Sequence, residues 1–492
     1  MNCHFKEGTT MKKALLIMSA VFALVACNKE NPIKESAINP SKIVFNINVE
    51  NGEATKGVKT TWENGDDVYV FFEDNTTQYV KMTYNGSSWS YKDKNGGTAF
   101  SGLTLATSGK KLSAVYMPDF VCSAAPTWST DRWTFGTVGG HYQTAASDYT
   151  VTSTSDVNTL SATLHMVAPA NIMQVCIPAP NPASGNEYVL TATHFIPFSL
   201  SDIVPGEAAA YGAGTNGFPI TAYKGTMGGE EAYYFWGILE GTSLGTTSYT
   251  FQLVERNADK KYAISSKSQT INTNFTGSAA IKLSTNLVDN GKFVSLGYDG
   301  GPLWATGNLG RPYPSAPISK TNYQIESPLE AGDYFQWGAT VVYNTSTYDD
   351  QWNGTTYEDG LLPKAQDVAY QVNNAWRIPT KAQLDALYNS ENTSSKWVDG
   401  WTSIGNSNGG YFFTSEKNGL SLFLAASGFY SDATLFWVGN RGRYWSSSPR
   451  DVPPYHFADA LRFDNGKIET YFLDRTLGYS VRPVKAAAGS GI

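Results

Sequence analysis

The stretch Ile43-Val44-Phe45-Asn46-Ile47-Asn48-Val49-Glu50 places Ile43, Phe45, Ile47 and Val49 at every second position, alternating with Val44, Asn46, Asn48 and Glu50. A period of two is the signature of a strand with one buried face. Short β-branched or aromatic runs follow at residues 68–72, 79–84, 112–116, 160–164 and 249–254, separated by Asn85-Gly86, Asn95-Gly96-Gly97 and Gly228-Gly229. Short strands at this spacing predict antiparallel sandwiches. Helix-period segments are scarce before the last third of the chain.

Length and composition bound the rest. At 492 residues the chain is long enough for about three domains. Hydrophobic residues at 41% can fill sizeable cores, so the low charged fraction of 16% does not imply disorder. The net charge of -7, with no block of basic residues, leaves no footprint for a phosphate backbone and excludes nucleic acid as a partner.

Met11-Lys12-Lys13, the apolar run from Ala14 to Val25, and Leu24-Val25-Ala26-Cys27 read as a signal peptide, residues 1–26. Its end resembles the lipobox of bacterial lipoproteins, which implies that Cys27 is the acylated first residue of an outer-membrane lipoprotein held at the cell surface by its lipid. Residues 27–41 read as a tether. Cys122 and Cys176 remain; a disulfide between them is permitted, and two buried thiols are an equal reading, but so few cysteines argue against a disulfide framework.

Thr60-Thr61-Trp62-Glu63, Gly65-Asp66-Asp67-Val68, Gln143-Thr144 and Leu164-His165-Met166 occur in an order that resembles the fimbrillin-like proteins of Bacteroides-type bacteria. The resemblance implies two all-β sandwich domains, residues 42–160 and 161–286. Beyond them, Trp304-Ala305-Thr306, residues 332–338, Ala375-Trp376-Arg377-Ile378-Pro379-Thr380, Gly442-Arg443-Tyr444-Trp445, Ala460-Leu461-Arg462-Phe463 and residues 478–484 resemble the Fibrobacter major paralogous (FISUMP) domain. This implies an α+β, C-type-lectin-like fold over residues 289–487. The residues themselves agree. Thr380-Lys381-Ala382-Gln383 is a capping box ahead of Leu384, Leu387 and Tyr388, which predicts a helix. Residues 421–425, 461–463 and 468–472 predict strands, the last two joined through Asn465-Gly466.

No catalytic set stands out. Gly241-Thr242-Ser243-Leu244-Gly245 matches a nucleophile elbow by letter, but a strand rather than a helix follows, so it reads as a turn. His141, His165, His194 and His456 are isolated, and no zinc, P-loop or dinucleotide motif is present. The absence of any cysteine after Cys176 argues against the formylglycine-generating chemistry found on the related fold. Calcium motifs of lectins are missing, and Asp349-Asp350 and Asp399-Gly400 read as solvated loops. No cofactor and no enzymatic activity are expected.

A recognition surface is expected instead, in late loops carrying Trp437, Arg441, Arg443, Arg450, Tyr455, His456 and Arg475, where aromatic rings alternate with guanidinium groups and Pro453-Pro454 holds an extended segment. Trp445, Phe457 and Phe463 are assigned to packing. The resulting expectation is a pilus-tip or accessory adhesin that binds protein or glycan, takes part in β-strand addition with other pilus subunits, and is anchored to the membrane by lipid. Alternatives are a glycan-capturing lipoprotein outside any pilus and a hydrolase using Asp or Glu pairs. Substituting Cys27 by Ser is expected to abolish incorporation of labelled palmitate into the expressed chain; undiminished labelling would refute the lipidation.

Overall fold

The computed structural model describes residues 43–51, 61–73, 75–100, 103, 105, 110–116, 127–129, 132–134, 143–154, 157–166, 172–193, 195–199, 212–213, 219–227, 230–239, 247–273, 279–283, 287–312, 320–343, 357–400, 409–452 and 455–486. Cys27, Cys122, His141, His194, Gly228-Gly229, the Gly241–Gly245 match, Asp349-Asp350 and Pro453-Pro454 lie outside the described residues.

The first unit is one seven-stranded sheet in the order Ile43–Asn51, Asn158–Met166, Gln143–Ser153, Lys110–Tyr116, Asp67–Phe72, Asn75–Tyr84, Trp89–Asp93. The first pair is parallel and the others are antiparallel. Ile43, Phe45, Ile47 and Val49 are buried while Val44 is half exposed, as the alternation requires. The sheet curls on itself: Phe45, on one edge strand, stacks on Tyr91, on the other, at 5.1 Å between ring centroids. The turn before the second strand is pinned by Trp62 Nε1 donating to Val49 O at 3.1 Å and by Tyr116 OH donating to Asp66 Oδ1 at 3.1 Å. Gly65 there has φ +98°, which only glycine adopts readily. Strand Asn158–Met166 belongs wholly to this sheet, so the expected divide at residue 160 falls inside a strand rather than between units.

The second unit stacks two sheets. One contains Phe195–Ser199, Glu230–Leu239, Ile172–Pro178 and Ala279–Lys282; the other contains Asn186–Ala192, Thr247–Asn257, Ala263–Thr273 and Val288–Gly291. Val175, Ile177 and Phe235 meet Leu190, Phe251 and Leu253 between them. Cys176 is buried in this unit.

The last unit holds a five-stranded sheet in the order Tyr334–Phe335, Tyr479–Ser480, Arg441–Val452, Tyr455–Asp464, Lys467–Asp474, and smaller sheets around it. Among the described residues two short α-helices are present, α1 (Val368–Val372) and α2 (Lys381–Leu387). The Thr380 capping box is formed: Gln383 N donates to Thr380 Oγ1 at 3.2 Å, and Thr380 N donates to Gln383 Oε1 at 2.9 Å. Asp367 caps α1 from a fully buried position, held by Arg377 Nε at 2.7 Å. The motif residues Trp304, Trp337, Trp445, Leu461, Val481 and Arg482 are all buried. Asn465-Gly466 turns the Tyr455–Asp464 and Lys467–Asp474 strands as predicted, with the positive φ at Gly466.

The last unit, expected as a separate domain over residues 289–487, is joined to the second. Strand Val288–Gly291 adds to the second unit's sheet beside Ala263–Thr273. Val189, Val254 and Ala263, on the outer face of that sheet, share one core with Val294, Leu296, Trp304, Leu384 and Tyr444. Hydrogen bonds cross the same boundary. Gln252 Nε2 donates to Ser295 O at 3.1 Å while its Oε1 accepts from Ser295 N at 2.7 Å, and Thr306 Oγ1 donates to Ile264 O at 2.8 Å. Tyr262 bridges to Ser421. A sheet whose two faces are both apolar must be covered on both sides, and the last unit is the second cover. Replacing Gln252 by Ala removes the acceptor of Ser295 N, while Ser295 O keeps Asn418 Nδ2 at 3.0 Å, so it is expected to cost about 1–3 kcal/mol. Urea unfolding followed by tryptophan fluorescence should show the second and last units melting together at lower denaturant; a separate early transition of the second unit would contradict the shared core.

Candidate functional site

Arg441 begins a 12-residue strand that ends at Val452, pairing Arg441 with Asp464 and Val452 with Tyr455. The segment expected to be turns is therefore one continuous strand, with its register shift between Trp445 and Pro449 accommodating Pro449. At about 3.3 Å per residue its ends lie roughly 30–35 Å apart. The seven expected site residues consequently separate into two groups at opposite ends of one hairpin, Trp437, Arg441 and Arg443 at one and Arg450, Tyr455, His456 and Arg475 at the other.

The second group is structural at its centre. Arg475, expected on a surface turn, is only 1% exposed. Its Nε donates to Phe457 O at 2.8 Å, its Nη2 to Tyr357 OH at 3.0 Å and to Asp451 Oδ1 at 2.9 Å, and its guanidinium lies 4.2 Å from the Trp337 ring centroid. Tyr357 also donates to Asp451. His456 Nδ1 is 3.1 Å from Asp451 Oδ1, and Arg450 pairs with Asp459 at 3.4 Å. Burial alone would raise the Asp451 carboxyl; the Tyr357 and His456 hydrogen bonds and the Arg475 charge outweigh it and hold the carboxyl below its ordinary value.

The first group is differently built. Strand alternation puts Arg441 and Arg443, Arg462 and Asp464, and Lys467 and Glu469 on one face of three adjacent strands. The register aligns them in two rows, Arg441–Asp464–Lys467 and Arg443–Arg462–Glu469. The opposite face carries Tyr444, Leu461 and Phe463 into the core shared with the second unit. Gly442 is required between the arginines, because a Cβ there would lie 2.0 Å from the Phe463 ring.

A cavity of about 200 Å³ opens on this charged face, lined by Arg441, Arg443, Arg462, Asp464, Lys467 and Glu469 together with Phe463. Arg462 Nε donates to Glu469 Oε1 at 2.6 Å, and Lys467 pairs with the same carboxylate at 2.8 Å. Arg441 sits 3.7 Å over the Trp437 ring and Arg462 4.0 Å over Tyr471. Trp437 is 47% exposed at φ +54°, a backbone region that costs a bulky residue of order 1–3 kcal/mol. Arg443, expected at the surface, is 8% exposed; among the described residues its one hydrogen bond runs from Nη1 to Gly442 O at 3.3 Å, and it has no carboxylate partner. Burial pushes its guanidinium below the ordinary arginine value; Tyr479 and the charge of Asp464 oppose this, while Arg462 and Arg441 push the same way.

Sequence inspection missed Arg462, Lys467 and Glu469 as members of this surface. The period-two register across the hairpin was the available signal, and it was hidden because the first of the three strands was taken for turns. Trp445 and Phe463 are buried as assigned, and Phe457 is half-buried. A larger cavity of about 350 Å³, lined by Glu358, Lys364, Arg377, Gln383 and Lys485 among others, lies elsewhere. Its cations are already engaged: Lys364 with Glu358 at 3.1 Å, Arg377 with Asp367, and Lys485 with Asn290 O at 3.0 Å. Among the described residues no three His, Cys, Asp or Glu side chains converge to hold a metal.

No family model and no curated protein matches the chain. Among solved structures, the chain is similar to the fimbrial anchor protein Mfa2 from Porphyromonas gingivalis at 12% identity, over 49% of this chain and 90% of that one, with a TM-score of 0.23. It is similar to a fimbrial protein from Bacteroides ovatus at 12% identity, over 90% of this chain and 99% of that one, with a TM-score of 0.20.

Substituting Arg475 by Met removes the centre of a buried polar network and is expected to cost about 3 kcal/mol. Because the native Asp451 value is depressed, its contribution is present above the unfolded carboxylate value near pH 4 and is lost as pH falls through the lowered native value. Acid titration of the parent should therefore show this loss, and the Arg475→Met variant a smaller one, because the Tyr357 and His456 hydrogen bonds to Asp451 remain; an unchanged acid limb would contradict the assignment.

Proposed function

We propose that the chain is a surface lipoprotein of the fimbrillin-like kind, an adhesin at a pilus tip or an accessory position, whose last, lectin-like unit captures a ligand without turning it over. The observation that carries this reading is the end of the hairpin at Arg441, where a cavity lined by four cations and two carboxylates adjoins an exposed tryptophan held in a strained backbone conformation. Strain of this kind persists where surrounding structure over-determines it, and it clusters at ligand sites. The ligand-binding residues are Trp437, Arg441 and Arg443, with Arg450, Tyr455 and His456 forming at most a separate contact at the far end.

Strand geometry supports a terminal place in any polymer. The Val484–Lys485 strand lies between Leu303–Ala305 and Trp376–Arg377, so it cannot leave to complement another subunit without opening its own sheet. The Ile43–Asn51 strand, by contrast, is an edge strand with one neighbour, and four buried side chains fill its place in the core. Its removal would leave an apolar slot open to β-augmentation. The chain is suited to receive a neighbour's strand rather than to donate one. The first arginine is Arg132, so trimming near the start would fall to a protease that cuts after Lys34, Lys42 or Lys56.

Immunogold electron microscopy of native cells tests the placement. Label confined to filament ends is expected; label spread over bare envelope would favour a lipoprotein that binds glycan outside any pilus. Trp437→Ala is expected to reduce attachment of cells to their target surface at least fivefold while leaving the melting temperature of the protein within a few degrees of the parent's.

A further inference from the structure

The Arg443–Arg462 pair is the feature that needs explaining. The two residues face each other directly across an antiparallel ladder. Like charges in that position repel. Arg462 has Glu469 beside it, whereas Arg443 is more than nine-tenths buried with one backbone hydrogen bond and no carboxylate. Counted over the cavity lining, four cations meet two carboxylates, Asp464 and Glu469. A guanidinium presents five donors in a fixed fork suited to a planar or tetrahedral oxyanion, so the cleft offers donors and net positive charge where a cavity is open to receive an anion.

We propose that this cleft binds the acidic group of a saccharide, a uronate carboxylate or a sulfate ester, with Arg443 as the buried anchor and Arg441 and Arg462 closing on either side. This rests on the reading of the Arg441 end as the capture surface and names its ligand class. The aromatic flanks favour a saccharide over an acidic peptide. Trp437 and Tyr471, 47% and 38% exposed, border the cluster from opposite sides, each stacked with one of its arginines. Exposed rings on both sides of an anion cleft offer flat apolar surface to the C–H faces of pyranose rings whose acidic substituent enters between them. A peptide captured by strand addition would pair with the Lys467–Asp474 edge, not with the Arg441–Val452 and Tyr455–Asp464 strands across which Arg443 and Arg462 face each other inside the sheet.

The test uses the full lipid-free chain on immobilised hyaluronan, chondroitin sulfate, neutral dextran and poly-L-glutamate. Binding to one or both acidic polysaccharides, none to dextran, and at least tenfold weaker binding to poly-L-glutamate are expected, with affinity falling as salt rises. Arg443→Met, of similar length and uncharged, is expected to weaken polysaccharide binding at least tenfold while melting at or above the parent temperature, because it removes a buried cation that lacks a partner. Sulfate ion alone, compared with chloride at equal ionic strength, should raise the melting temperature of the parent and not of Arg443→Met. Equal binding to poly-L-glutamate, or undiminished polysaccharide binding by Arg443→Met, overturns the proposal. If Arg443→Met melts well below the parent, Arg462→Gln, at a partly exposed position, decides: retained binding overturns the proposal and tenfold loss supports it. Indifference to every acidic polysaccharide, with Trp437→Ala still abolishing cell attachment, defeats the ligand class alone; unimpaired attachment by Trp437→Ala defeats the surface itself.

Discussion

A cation taken out of water must be compensated, and the last unit of this protein buries three arginines that meet this constraint in three ways. Arg482, fully buried, donates to Ala305 O at 3.2 Å and to Phe423 O at 2.8 Å, so one guanidinium joins strands of two different sheets. Burial still lowers its value to about 10, against the opposing influence of Tyr444. Arg475 is compensated by a carboxylate, a phenol and a carbonyl that converge on it. Arg443 has one carbonyl and two arginine neighbours. The first two serve the architecture. The third is the exception, and the hairpin that carries it is otherwise anchored by Trp445 and Tyr444 in two cores.

The same hairpin explains why the last unit does not stand alone. Its uncharged face enters the core that Val189 and Val254 complete from the second unit, and alternate residues of the same strands, Leu190 and Leu253, serve the sandwich interior. One sheet is thus the wall of two cores. Motion between the two units would expose apolar surface and break the Gln252–Ser295 pair, so the arginine cleft is carried on a rigid platform rather than on a hinged head.

What the sequence made legible follows from range. The Ile43–Glu50 alternation, the Thr380 capping box and the Asn465-Gly466 turn are specified within a few residues, and each appears where its chemistry places it. The sheet content of the chain was visible for the same reason. The parallel pairing of Ile43–Asn51 with Asn158–Met166 joins segments more than a hundred residues apart, so the unit boundary could not be read near residue 160. The 441–452 strand was obscured by its own residues: Gly442, the run Ser446-Ser447-Ser448, Pro449 and Asp451 all suggest turns, and only the bulge lets them lie in a sheet. Arginine burial was equally hidden, since composition favours exposure for this residue and nothing local distinguishes Arg443 and Arg475 from Arg450, which is exposed.

Proteins remove like-charge pairs from sheets readily, since a single change to Glu or Gln on either strand suffices. At the Arg443–Arg462 position the neighbourhood shows that such compensation is accessible: two residues along on the same face, Arg441 lies opposite Asp464 in the register, and on the next strand Glu469 holds Arg462 and Lys467 together. Glu469 is thus engaged by Arg462 and Lys467, while Arg443 makes no ion pair and has the open cavity in front of it. A fold that pairs Arg462 and Lys467 with a carboxylate but leaves the buried Arg443 guanidinium facing a cleft has concentrated unsatisfied donors where a ligand can reach them, and the stability forgone there is the free energy that an incoming anion recovers.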